Sequence, residues 1–84
     1  MKTTRTQRDE DLRRSNIYWT LYERIGVEAA LAGSDALTDM RRALVATTTE
    51  DIRFFAFFAG VNARKAATFG LLALSYKEQA LGLR

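Results

Sequence analysis

The stretch IRFFAFFAGVNARKAATFG, residues 52–70, is the part of the sequence that most constrains the fold. On a helical wheel at about 100° per residue, Ile52, Phe55, Ala56 and Ala59 share one side, and Phe54, Phe57, Phe58 and Val61 share most of the other. A helix that is apolar nearly all round is buried on nearly all sides. The stretch therefore predicts a central helix, packed between other helices or at a subunit interface, with Phe54, Phe57 and Phe58 as candidate interface residues.

The same stretch does not predict a membrane span. Its apolar run at 54–61 is far shorter than the roughly 20 residues that a spanning helix needs, and Asn62, Arg64 and Lys65 interrupt any longer window. The N-terminal residues are polar and lack the apolar core of a signal peptide. The sequence thus predicts neither a membrane protein nor a secreted one.

Composition excludes several classes of function. The chain has 84 residues, of which 48% are hydrophobic, and it contains no cysteine, histidine or proline. This length predicts a single helical domain over 1–84. Without histidine or cysteine, the usual activated nucleophiles, general bases and metal ligands are missing, and no glycine-rich phosphate loop is present. We expect a cytoplasmic protein that is not an enzyme and has no cofactor, metal or small-molecule substrate.

Local signals predict a compact all-α bundle of about four helices. Gly33-Ser34-Asp35 has the pattern of a helix stop followed by a helix start. Thr47 with Glu50 forms a capping box, with Thr48 and Asp51 as the alternative, and Gly60 with Asn62 predicts a second stop and start. The expected elements are a flexible arm at 1–5, a long helix at 7–32, short helices at 36–46 and 49–59, and a long helix at 63–81.

The last predicted helix has two apolar stripes. The first contains Ala66, Phe69, Ala73, Tyr76 and Ala80, and the second contains Ala63, Ala67, Gly70, Leu74 and Leu81. One stripe can pack on the neighbouring helix, whereas the other needs the first helix or a second chain. Four short helices have little surface with which to cover both stripes, so the pattern favours a homodimer.

The segment 52–71 resembles the helix-turn-helix of bacterial and phage DNA-binding proteins. Ala56 stands four places before Gly60, and Phe55, Ala59, Val61, Ala66 and Phe69 match the apolar positions of that motif. The resemblance implies that the second helix enters a DNA groove. Asn62, Arg64 and Thr68 would then face bases or phosphates, while Lys65, Arg5 and Arg8 would contact the backbone.

A second hypothesis is a protein-binding inhibitor or adaptor, by analogy with small phage and plasmid accessory proteins such as inhibitors of CRISPR systems. Its basic residues would meet an acidic protein surface, and Tyr18, Trp19 and Tyr22 would be either core residues or interface anchors. Residues 1–14 carry a net charge of +2 and residues 61–84 of +3, which suits either DNA or an acidic protein.

Overall fold

Two long helices make up the protein. The computed structural model describes residues 5–83, in which α1 spans Arg5–Val45 and α2 spans Thr49–Ala80. The two helices pack side by side in opposite directions, as a helical hairpin whose Cα atoms extend over 67 × 16 × 12 Å. All-α structure is therefore confirmed, but the arrangement is elongated.

A link at residues 46–48 reverses the chain, and Thr48 begins the second helix. Thr48 has extended backbone angles, φ −110° and ψ 148°, and its Oγ1 accepts a hydrogen bond of 3.2 Å from the backbone N–H of Asp51. Glu50 and Asp51 lie in the first turn, where the helix dipole favours negative charge. The cap is therefore Thr48, the alternative in the sequence analysis, and not Thr47.

A seam of small residues joins the helices. The seam consists of the residues of each helix that face the other helix. They recur at alternating spacings of three and four residues, which is the spacing of a coiled coil. On α1 they are Ser15, Tyr18, Tyr22, Ile25, Ala29, Ala32, Ala36, Asp39 and Ala43, and on α2 they are Phe55, Ala59, Asn62, Ala66, Phe69, Ala73, Tyr76 and Ala80. Every one of these residues is buried or half-buried. Because so many are alanines, the helices approach closely, and a Cβ built on Gly33 would lie 3.9 Å from Ala66 Cβ.

The open end of the hairpin, opposite the link between the helices, is where α2 ends. The N–H of Gly82 donates to the carbonyl of Gln79 at 3.1 Å and that of Leu83 to the carbonyl of Glu78 at 2.9 Å, which is the Schellman pattern. Ser15 Oγ also donates to the carbonyl of Ala80 at 3.0 Å. Residues 5–14 of α1 therefore extend past the end of α2 by roughly 15 Å, at about 1.5 Å per residue.

The predicted compact four-helix bundle is wrong. Gly33, Ser34 and Asp35 lie inside α1, and Gly60 and Asn62 lie inside α2, so neither predicted break exists. A glycine in a helix costs only about 1 kcal/mol relative to alanine, and without proline nothing in the chain forces an interruption. Among the described residues, only Gly82 has a positive φ, at 76°.

The phenylalanine-rich segment is not packed between helices of its own chain, and the alternative, a subunit interface, stays a prediction. Phe54, Phe57 and Phe58 are 57%, 65% and 41% exposed. The reason is that α2 has one neighbouring helix and not several, so only one of its sides is covered. Phe55, which faces the seam, is half-buried.

The predicted flexible arm at 1–5 can be compared with the structure only at its last residue. Residues 1–4 of the predicted arm lie outside the described residues, and Arg5, its last residue, is the first residue of α1. The helix thus begins two residues before the predicted start at Gln7.

Candidate functional site

The most distinctive property of the hairpin is how little it buries. Among the described residues, the buried hydrophobic side chains are the alanines Ala32, Ala43, Ala59 and Ala73. Large apolar side chains are exposed along both helices, from Leu12 near the start of α1 to Leu83 after α2. Since apolar burial is the main source of folding free energy, a single hairpin of this composition has little to stabilise it.

The exposed area can be compared with that of ordinary folded chains. The accessible surface of the chain is 6756 Å². A folded monomer of 9.5 kDa is expected to expose about 5,000 Å². The excess, about 1,700 Å² per chain, is comparable to what one subunit buries in an obligate complex.

One part of this surface is a cluster of aromatic rings on the first turns of α2, which we call the phenylalanine cluster: Phe54, Phe55, Phe57 and Phe58. The ring centroids of Phe54 and Phe58 are 4.9 Å apart, those of Phe54 and Phe55 are 5.4 Å apart, and those of Phe57 and Phe58 are 5.4 Å apart. The rings pack at tilted or edge-to-face angles, which aromatic pairs prefer. The cluster is thus an organised apolar surface of which most faces solvent.

A cationic side chain contacts the phenylalanine cluster, and a second cationic residue adjoins it in the sequence. The guanidinium carbon of Arg42, on α1, is 5.9 Å from the centroid of the Phe55 ring, within the range of a cation–π contact. Arg53 is exposed and immediately precedes Phe54. Glu50 and Asp51, the nearest acids in the sequence, lie in the first turn of α2, where their charges complement the helix dipole.

The aromatic residues of α1 belong largely to the seam at the open end of the hairpin. Tyr18 stacks on Tyr76 of α2, with centroids 6.3 Å apart. Trp19 packs edge-to-face on Tyr22 at 5.7 Å, and Lys77 Nζ lies 5.5 Å from the centroid of the Tyr22 ring. All three predicted aromatic anchors of α1 are half-buried within the hairpin.

The predicted nucleic-acid residues do not form one site. Asn62 faces the seam, where its Nδ2 donates a hydrogen bond of 2.9 Å to Asp39 Oδ2. Arg64, Lys65 and Thr68 are exposed on α2, and Lys65 Nζ lies 6.0 Å from the centroid of the Phe69 ring. Arg5 and Arg8 lie in the overhanging end of α1, on the order of 35–40 Å along the hairpin from Arg64, from the rise per residue.

The segment 52–71 is part of a single uninterrupted helix, because α2 continues through Gly60. The corner that a helix-turn-helix would need is therefore replaced by a continuous helix. DNA binding itself is tested by nothing in the structure and stays a prediction.

A cleft of about 670 Å³ lies at the open end of the hairpin. It is lined by α1 residues up to Tyr18 on one side and by residues 79–82 on the other. Its walls include Arg14 and Asp11, both exposed. Over residues 5–83, no group of three or more acidic side chains is arranged to hold a metal ion. Within the same residues, no helix is long and apolar enough to cross a membrane.

Sequence reasoning missed part of the exposed surface. The second stripe was recognised on α2 only from Ala63 onward, although Ala56 and Gly60 continue it toward the turn. On α1, Gly26, Ala30 and Gly33 recur at the same alternating spacing of four and three. This spacing of small residues is visible on each helix in the sequence, but only the antiparallel packing of α1 and α2 brings the two sets together.

Comparison of the chain with protein families, with curated proteins and with solved structures finds no match.

Proposed function

We propose that this chain is a non-enzymatic binding protein of the cytoplasm, which acts by presenting a helical hairpin to a partner protein. The observation that supports the proposal best is the phenylalanine cluster, in which Phe54, Phe57 and Phe58 are ordered against one another and remain exposed. Exposed apolar patches of this kind are typical of interaction sites. Covering them with protein would supply apolar burial that the hairpin lacks.

The partner surface that suits the cluster is apolar at its centre and acidic at its rim. Aromatic side chains supply a large contact area at the core of interfaces, with polar residues around them. Here Arg42 contacts the ring of Phe55, and it would pair with a carboxylate of the partner, as would the exposed Arg53 in the same turn of α2. An inhibitor or adaptor that covers an acidic surface of another protein fits this chemistry, and self-association of the hairpin is a further part of the proposal.

The test compares proteins retained from a host extract by the immobilised native chain and by two variants. In the Phe54→Gln/Phe57→Gln variant the cluster loses two rings, and we expect the specific partner to be lost. The control is Leu71→Gln, which also replaces an exposed apolar residue of α2 but lies about 21 Å from Phe57 along the helix. Retention of the same proteins by all three chains would contradict the proposal.

DNA binding is separated by a second measurement, because the exposed residues Arg64 and Lys65 allow it. Affinity for random duplex DNA is measured at about 50 mM and about 200 mM salt. A DNA-binding protein would show micromolar affinity that falls steeply with salt and is weakened by Arg64→Ala. The protein-binding proposal expects no detectable DNA binding at either salt concentration.

A further inference from the structure

Four glycines lie inside the helices: Gly26 and Gly33 in α1, and Gly60 and Gly70 in α2. None has a positive φ, so no backbone conformation requires glycine at these positions. A Cβ built on Gly26, Gly60 or Gly70 would meet nothing within 4 Å. Glycine is the weakest helix former after proline, yet contacts within the chain give no reason for these three.

All four glycines lie on the same side of the hairpin. Each follows directly after a seam residue, and so do the neighbouring small and apolar residues. In two antiparallel helices, the positions one step after the seam turn to the same side of the pair, because both helices are right-handed. We name this side the glycine face: Gly26, Ala30, Gly33, Leu37 and Met40 of α1, with Ala56, Gly60, Ala63, Ala67, Gly70 and Leu74 of α2.

Contacts at the seam support this placement. Asp39 and Asn62, which are hydrogen-bonded to each other, immediately precede Met40 and Ala63 of the glycine face. At the open end, Trp19 and Lys77 are also one step after seam residues, and both contact the ring of Tyr22. Residues one step after the seam on α1 and α2 are therefore neighbours.

The glycine face carries no charge, and the charged residues on the same side, Glu23 and Lys77, lie beyond its end toward the open end of the hairpin. Arg64 and Lys65 of α2, and Glu28 and Asp35 of α1, lie at other positions on the helices. Small residues occupy the middle of the face. The larger exposed side chains of Leu37, Met40 and Leu74 lie at its two ends. A surface of this composition suits close packing of helices, in which small residues let two backbones approach.

We propose that the glycine face is covered by a second copy of this chain, which gives a homodimer of four helices. A second copy fits because a flat centre of small residues is complementary to itself under a two-fold axis. The area allows this: an obligate homodimer buries roughly 1,000 Å² or more from each subunit, so covering part of the excess of about 1,700 Å² that each chain exposes is sufficient. The phenylalanine cluster, which lies off this face, stays free for a partner.

Substitutions that fill the glycine face test the proposal. Gly60→Leu and Ala67→Leu place a good helix former where the isolated hairpin has room, and Thr68→Leu is the matched control beside Ala67. By sedimentation equilibrium we expect the first two to raise the dimer dissociation constant at least tenfold and the control to leave it nearly unchanged. If Gly60→Leu and Ala67→Leu dimerise as tightly as the native chain and the Thr68→Leu control, the proposal is overturned.

Cross-linking gives a readout that does not depend on the folding of those variants. The chain has no cysteine, so a single one reports one position. Ala63→Cys, in the middle of the glycine face, should be joined to its copy by a short bis-maleimide, whereas Ser34→Cys, on the outer side of α1, should not. Equal reaction at the two positions, or a native chain that folds only on lipid vesicles, would overturn the proposal.

The self-association proposed here rests on the proposed function only in that both require the hairpin to be covered by protein. Their failures are distinct. Loss of the dimer in Ala67→Leu with the partner retained separates the two surfaces, and a native chain that dimerises but retains no partner contradicts only the role of the phenylalanine cluster.

Discussion

Asn62 and Asp39 are hydrogen-bonded to each other across a seam that consists mainly of alanines and aromatic residues. The amide Nδ2 of Asn62 donates to Asp39 Oδ2 at 2.9 Å, and the bond is partly buried between α1 and α2. A polar pair at one layer of a coiled coil specifies the register, because any shift leaves the polar groups without partners. We infer that this bond fixes the alignment of the two helices.

Removing this bond should destabilise the hairpin. In Asn62→Ala the Asp39 carboxylate loses its donor, and we expect the free energy of unfolding to fall by about 1–2 kcal/mol. The measurement is urea unfolding followed by circular dichroism, at one fixed protein concentration since self-association adds to apparent stability. Thr68→Ala, an exposed change on the same helix, is the control. If the effects of Asn62→Ala and Asp39→Ala simply add in the double variant, the two side chains are not coupled.

The start of α2 depends on Thr48 and not on Thr47. Thr48→Ala removes the acceptor of the Asp51 N–H and should lower the free energy of unfolding by about 1 kcal/mol. Thr47→Ala, one residue earlier, is a matched control and should change the stability by a few tenths of a kcal/mol at most. A greater loss for Thr47→Ala would mean that the helix begins with the other capping box.

The end of α2 depends on a left-handed residue. Gly82 has φ 76°, a conformation that costs an ordinary L-residue about 1 kcal/mol or more. Gly82→Ala should therefore be destabilising by about that amount in thermal unfolding, and Gly82→Asn less so, because asparagine tolerates this region better. Equal stability of Gly82→Ala and the native chain would show that the Schellman turn does not form in solution.

Two neighbouring phenylalanines should differ strongly in their contribution to stability. Phe55 faces the seam and is half-buried, so Phe55→Ala should cost about 2 kcal/mol or more. Phe57 is 65% exposed, and Phe57→Ala should cost no more than about 0.5 kcal/mol. Urea unfolding of the two variants checks this difference. A large loss for Phe57→Ala would favour the burial on all sides that the sequence predicted.

The sequence was sufficient to predict helices almost everywhere and the end of α2 within one residue, but it favoured Thr47 over Thr48 as the cap of α2. It was not sufficient to decide whether Gly33 and Gly60 interrupt them. A helix stop and a tolerated glycine differ by about 1 kcal/mol, which the pairing of two long helices can outweigh. Gly82 does end a helix, with a positive φ. It differs from the glycines inside the helices because no described residue that packs between α1 and α2 follows it.

The candidate surface shows the same limit. Phe54, Phe57 and Phe58 point to different sides of an apolar helix, so they are all buried only if several other helices surround it. A single chain supplies one neighbouring helix, α1. The stripe from Ala63 to Leu81 was visible in the sequence, and it was predicted to pack on either the first helix or a second chain. Its continuation onto Gly26 and Gly33 required the knowledge that α1 and α2 are antiparallel and continuous.

The central claim is that this hairpin completes its fold by pairing with a second copy. Light scattering and circular dichroism on the same dilution series of the native chain test it most directly. The account predicts a mass of 19 kDa, twice the 9.5 kDa of one chain, with helicity that falls as dilution separates the copies. A mass of 9.5 kDa with full helicity at every concentration would contradict it.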